Sequence, residues 1–244
     1  MRKSSNHRIK LIIFLFPIIL SLILLSIKIW SPETYRLAVR EDSVIEYIQV
    51  FSYFLSSIVS FLIFIRFLKH RLVLHSISYG ILVIVLLFIS LEEISWGQRI
   101  FHIEISDYFA QHNVQKEISF HNLDTAQPLL HIGYILIGYY GTFAWLFVSS
   151  RRLKCLHIVK FYVPDWFISS YFFFAFFIYM VFDYIGPFSV GVLGIDELRM
   201  GVFLLWEDQE LAELLLSLGF LVFTVVNYIR LRKMGLTIAS TQTL

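Results

Sequence analysis

Six stretches of this chain are apolar for about 20 residues or more, and nothing else in the sequence constrains the fold as strongly. They cover residues 11–30, 43–67, 72–93, 129–150, 165–185 and 203–229. A helix needs about 20 residues to cross a hydrocarbon core about 30 Å thick. The runs are continuous rather than alternating, and in lipid each backbone amide must be satisfied within its own segment, so helices are the form open to them. The expected fold is all-α: a polytopic membrane bundle of about six transmembrane helices, built as a single domain over residues 1–234, with a polar, disordered tail at 235–244. The third run can continue as far as Arg99. Composition agrees, because 58% of residues are hydrophobic and 16% charged, where soluble chains are about 45–50% apolar and about 25% charged.

Basic residues set the orientation of such a bundle. With six spans, 14 of the 20 Lys and Arg fall on one side. They are Arg2, Lys3, Arg8 and Lys10; Arg66, Lys69 and Arg71; Arg151, Arg152, Lys154 and Lys160; Arg230, Arg232 and Lys233. Both termini are therefore expected in the cytoplasm, in a multi-pass protein of a bacterial inner (cytoplasmic) membrane. The basic start followed by an apolar run resembles a signal sequence, but the run is long enough to span and no small-x-small cleavage site follows, so a retained helix is expected. Net charge is +2, which gives no polyanion-binding signal: membrane lipid is the expected partner and nucleic acid is not. Cys155 is the only cysteine, so an intramolecular disulfide and a cysteine-rich metal site are both excluded.

Acids follow the opposite pattern. Of 18 Asp and Glu, only Asp165 lies near the predicted cytoplasmic side. Charged groups within membrane spans are costly and normally face the bundle interior or a cavity, so four clusters stand out. The first, Arg40-Glu41-Asp42-Ser43 with Glu46, opens the second span; its acids also suit a helix N-terminus. The second is Glu92-Glu93-Ile94-Ser95-Trp96-Gly97-Gln98-Arg99. If the helix continues, Glu92, Trp96 and Arg99 share a face. Pairing with Arg99 accounts for one acid, whereas two at a helix C-terminus, where the dipole disfavours anions, imply a further partner. The third is the longest outer connection, with His112, Glu117 and His121; if helical, Glu117 and His121 are spaced i, i+4, and His131 follows at the start of span four. The fourth, Trp206-Glu207-Asp208-Gln209-Glu210 with Glu213, opens the sixth span, and Asp183 at the outer end of span five can join it.

Several of these blocks together resemble a group of uncharacterised bacterial multi-pass membrane proteins. The resemblance is carried by Arg-Glu-Asp-x-x-x-Glu at Arg40–Glu46, by Glu-Glu-Ile-Ser-Trp-Gly-Gln-Arg at Glu92–Arg99, by Asn-x-Gln-x-Glu-x-x-x-His-Asn at Asn113–Asn122, and by the acidic start of the sixth span. It implies which residues form a site and implies no reaction.

The charge balance limits what the site does. Glu46, Glu92, Glu93, Asp183, Glu207, Glu210 and Glu213 are expected at similar depth, with Arg99 and Arg199 nearby. So many neighbouring carboxylates must bind a cation, share protons, or pair with Arg and His. An intramembrane enzyme acting at the outer leaflet on a lipid or lipid-linked substrate would use Glu92, Glu93, Arg99, Glu117, His121 and Glu210 as its catalytic set. A divalent metal cofactor would be held by Glu93, His121, Glu207, Glu210 and Glu213. A cation- or proton-coupled transporter would use the same acids as a relay, although no continuous polar path and no two-fold repeat are visible. In a structural or accessory subunit the acids would instead fix helix packing.

Overall fold

The computed structural model describes residues 2–39, 43–113, 116–123, 125–148, 157–185 and 209–241, and among them the fold is helical, with one isolated antiparallel bridge between Asn113 and Leu123 and no strand. The helices are α1 (Arg2–Trp30), α2 (Pro32–Val39), α3 (Val44–Lys69), α4 (Val73–Glu93), α5 (Gln98–Phe101), α6 (Asp107–His112), α7 (Gln127–Val148), α8 (Ser169–Met180) and α9 (Gln209–Thr241). Six segments are long and apolar enough to cross a membrane: Asn6–Trp30, Pro32–Lys69, Val73–Glu93, Gln127–Val148, Val159–Ile185 and Gln209–Met234. The chain is a multi-pass helical membrane protein, as the apolar runs predict.

The structure departs from the sequence reading at four places. The connection after Trp30 holds a short helix, α2, whose Tyr35 and Val39 pack with Leu24, Ile45 and Leu214. The third span does not run on to Arg99: it stops at Glu93, because Ser95, Trp96 and Gly97 take left-handed φ of 48°, 55° and 75°. Such values are uncommon outside glycine, and three in succession turn the chain away from the helix axis. Span five closes on a π-helical stretch, Val181–Ile185. The last helix runs Gln209–Thr241, beyond the apolar run at 203–229.

Packing places α9 at the centre. It lies against α3 on one side and α8 on the other; α4 packs on α3, α7 packs on α8, and α1 meets α8 and the Trp166–Ile168 turn. The outer helices expose large apolar side chains such as Leu22, Ile23, Ile84, Leu136 and Phe147, the surface that lipid solvates. The α8–α9 core is aromatic, built from Phe167, Tyr171, Phe172 and Phe223 with Ile168 and Leu216.

One end of the bundle is basic and closed by a polar clamp. Arg230 pairs with Asp165 at 2.6 Å and donates to Asn227 Oδ1 at 2.6 Å and to the Lys160 carbonyl. Asn227 in turn donates to Tyr79 Oη at 3.0 Å and the Phe161 carbonyl at 3.2 Å, while Tyr79 donates to that carbonyl at 2.8 Å. This ties α4, α9 and the 157–165 segment together. Asn227→Leu, which keeps the volume, is expected to cost about 2 kcal/mol by leaving buried partners unmet. A lowered thermal midpoint of the detergent-solubilised protein would register it, and an unchanged midpoint would show the clamp to be dispensable.

Candidate functional site

The acidic end is organised around the break that follows α4. Glu92 is 3% exposed. Its Oε2 accepts the backbone amides of Phe120 at 2.6 Å and His121 at 2.9 Å, with His121 Nδ1 at 3.3 Å; its Oε1 accepts from Trp96 Nε1. The turn at residues 95–97 is what folds Trp96 back onto Glu92. The expected proximity of Glu92 and Trp96 therefore holds, but through a bent chain and not along one helical face.

Asn113 and residues 116–123 pack over this corner. Asn113 organises it: its Nδ2 donates to the Ser119 carbonyl at 2.8 Å and to Ser119 Oγ at 3.1 Å, and its Oδ1 accepts the Glu117 amide at 3.2 Å. Gln98 Oε1 accepts the Ile118 amide at 2.6 Å, and Ser95 Oγ donates to Glu117 Oε2. The helical i, i+4 pairing of Glu117 with His121 is not what the chain adopts. The segment is a loop because its polar side chains satisfy the backbone locally. Glu117 anchors to Ser95, and His121 docks on Glu92.

Glu93, the neighbouring residue on α4, is partly buried. Its carboxyl feels the charges of Glu213, Glu210, Glu46 and Glu92, strongest first. Glu213, one turn inside α9, accepts a hydrogen bond from Tyr179 Oη, and Tyr134 is placed to bond the same carboxyl. Tyr134 and Tyr179 stack at 4.6 Å between centroids with 12° between planes. Tyr53 of α3 is fully buried, and the charges of Glu93 and Glu213 act on it. Gln49, fully buried on α3, donates from Nε2 to Glu210 Oε2 at 3.1 Å and to the Glu210 carbonyl at 3.0 Å.

A third element completes the centre. His131, in the first turns of α7, places Nδ1 at 2.9 Å from Asp183 Oδ1 in the π-helical end of span five. Its ring lies 4.9 Å from that of Tyr179, and it acts electrostatically on Glu213, as does His121.

The charges of Glu46, Glu210 and Glu213 thus act on the partly buried Glu93, while Glu92, Glu117 and His121 gather at the loop corner, with His121 acting on Glu213 as well. Glu207 lies outside the described residues, as do Arg40, Glu41, Asp42, Cys155, Arg199, Trp206, Asp208, the 186–202 connection and the side chain of Arg99. Among the described residues no three His, Cys, Asp or Glu converge to hold a metal ion; of the expected ligand set, His121 commits Nδ1 to Glu92. Gln49, Tyr53, Tyr134 and Tyr179 are members that sequence reasoning misses. Gln49 carries a signal, lying three residues beyond Glu46 on the same helix face; the tyrosines do not stand out among 13 Tyr and 25 Phe.

Compared with known protein families, with curated proteins and with solved structures, the chain matches none. The reading of the site rests on its own geometry.

Proposed function

We propose that this chain is an integral membrane enzyme of a bacterial cytoplasmic membrane, performing general acid–base chemistry on a lipid or lipid-linked substrate at the extracytoplasmic leaflet. The observation that carries this reading is the Asp183–His131 pair beside Glu213 and Tyr179. An ionised carboxylate only accepts, so Asp183 fixes the proton on Nδ1 and makes Nε2 the basic nitrogen. A histidine oriented by a carboxylate is the arrangement a general base requires. Glu213, bonded to Tyr179, is the neighbouring group that can hold or return a proton. The pair also lies where a lipid would meet it: Leu129, Ile132, Tyr184 and Ile185 flank it and are exposed. Glu92 serves this centre by positioning the loop, and Glu117, His121 and Glu210 are assigned to its surroundings.

The test is lipid turnover by the purified protein in nanodiscs made from a total bacterial lipid extract, followed by mass spectrometry. His131→Gln is expected to reduce turnover by roughly 10²–10⁴-fold, the usual contribution of a positioned base. Asp183→Asn is expected to act through the same step, with a smaller loss that the tautomer change explains. A lipid profile that wild type alters no more than His131→Gln does, at equal protein, would defeat the proposal.

A second reading, proton- or cation-coupled transport, is favoured by one observation. Ser52, Ser56 and Ser60 of α3, and Ser217 and Thr224 of α9, are all buried, in helices that run side by side from the acidic centre towards the Asn227 clamp. Against it, Ser56, Ser217 and Thr224 bond back to carbonyls of their own helices, which suits close packing as well. Cation flux into liposomes that Glu210→Gln abolishes would favour transport over catalysis.

A further inference from the structure

We infer that the connection after α4 lies on the bilayer, with Ile100, Phe101, Ile103 and Tyr108 seated at the boundary between acyl chains and headgroups in the leaflet that holds the acidic end. The partner is membrane lipid. This goes beyond the acid–base reading and does not depend on it.

The inference starts from side chains that the fold leaves uncovered. Phe101 is 73% exposed and Ile100 65%, Ile103 and Tyr108 are exposed too, and no residue from Ile100 to His112 is buried. A cluster of exposed apolar side chains marks a surface that meets another apolar body. Here that body is the bilayer, because the cluster continues a surface that lipid already solvates. Ile77, Ile81, Ile84 and Phe88 recur on α4 at three- and four-residue spacing and are exposed, so one stripe of that helix faces lipid. Trp96 extends the stripe, its ring edge-on to Phe88 at 5.6 Å. Phe101 comes next, with its ring so close to Gly97 that a Cβ there would stand 2.9 Å from it. At the far end, Phe109 of α6 meets Phe120 edge-on at 5.6 Å, and the Phe120 amide is held by Glu92. The connection is thus fastened to the acidic end of α4 from both sides.

Two opposing costs fix the depth. Residues 103–106 are not helical, and irregular backbone facing lipid is not tolerated in the hydrocarbon core, where no water meets its amides and carbonyls. His102, Glu104, Asp107 and His112 are exposed as well, and charge in hydrocarbon is costly. Open water is disfavoured in turn by the uncovered Ile100, Phe101 and Ile103. The boundary between acyl chains and headgroups satisfies both demands. It is also where aromatic side chains with a polar tip concentrate, and Trp96 and Tyr108 are of that kind. In sequence, Phe101, Ile103 and Ile105 alternate with His102 and Glu104, the mixed character of a segment that lies on a membrane and does not cross it.

The test is spin-label accessibility of the full chain in phospholipid nanodiscs. On a Cys155→Ser background, a nitroxide is attached to Phe101→Cys, Ile103→Cys or Glu104→Cys, with Ile84→Cys as the membrane reference and Lys116→Cys as the aqueous one. Collision rates are measured with oxygen, which concentrates in lipid, and with a neutral nickel chelate, which stays in water. The oxygen-to-nickel ratio at positions 101 and 103 is expected to fall between those at 84 and 116, and above that at 104. Ratios at 101 and 103 equal to the value at 116 would overturn the inference by placing these side chains in water. Labels shielded from both reagents would also overturn it, showing that a second copy or another stretch of this chain covers them. Ile103→Cys carries the comparison if Phe101→Cys, whose ring packs on Gly97, fails to fold.

Discussion

Glu92→Ala is expected to release residues 116–123 from the acidic end of the bundle, and to do so more completely than Gln98→Ala. The reason lies in how many donors converge on one carboxylate: two consecutive backbone amides, an indole N–H and an imidazole nitrogen. Alanine leaves all of them without an acceptor. Each buried donor left unmet costs about 1–3 kcal/mol, more when the lost partner was charged, so keeping the loop docked becomes costlier than letting water reach it. A loss of about 3 kcal/mol in docking corresponds to a population shift of about a hundredfold. Protease cleavage between Asn113 and Leu123, read as a rate on the folded protein, should rise by a similar factor. Glu92→Gln should lie between, because its carbonyl still accepts both amides while its NH₂ opposes Trp96 Nε1. Gln98→Ala removes the second tie, to the Ile118 amide at 2.6 Å, and should produce a smaller rise. If cleavage in Glu92→Ala is no faster than in wild type, Asn113 and Ser95 hold the loop and Glu92 does not.

The pair Glu92-Glu93 shows where sequence reasoning stops. That two acids at the end of an apolar run must face protein and not lipid follows from the cost of charge in hydrocarbon. That one of them binds a loop and the other faces three carboxyls does not, since adjacent helix positions differ by about 100° and only the packed neighbours say which way each points. The turn that separates their roles is equally hidden. Gly97 favours a left-handed φ, but Ser95 and Trp96 adopt one too, and neither residue advertises it. The spans themselves are legible because their signal is local: about 20 apolar residues in a row mean the same thing whatever surrounds them. The i, i+4 spacing of Glu117 and His121 is a local signal of the same kind, yet it misleads, because Asn113 offers the backbone side-chain partners that compete with a helix. The meeting of His131 with Asp183 depends on α7 packing against α8, a contact written in glycines and not in the charged residues.

Those glycines carry the second large effect. Gly138→Ala is expected to separate α7 from α8. A Cβ at Gly138 would stand 2.5 Å from the backbone nitrogen of Phe176 and 2.9 Å from the Phe172 carbonyl oxygen, atoms that no rotamer change can move. At Gly141, one turn on, the Cβ would stand 2.1 Å from Phe172 Cγ. That ring has little freedom to yield, because it packs edge-on against Phe220 at 5.6 Å, with Gly219 of α9 also beside it. Small residues at such crossings let helix backbones approach in lipid, where packing rather than the hydrophobic effect holds helices together. Overfilling a packed contact typically costs about 1–3 kcal/mol, and a backbone clash belongs at the upper end. Gly133→Ala supplies the control, since nothing lies within 4 Å of a Cβ there, and its thermal midpoint should match wild type. The consequence reaches the site because His131 and Tyr134 ride on α7, while Asp183 and Tyr179 belong to the span that α8 opens. Pushing the helices apart lengthens the 2.9 Å His131–Asp183 contact and unstacks Tyr134 from Tyr179. Gly138→Ala should therefore lower both the midpoint and lipid turnover, with turnover falling further than the remaining folded fraction explains. A folded Gly138→Ala protein with wild-type turnover would mean that the histidine–aspartate pair does not depend on this crossing.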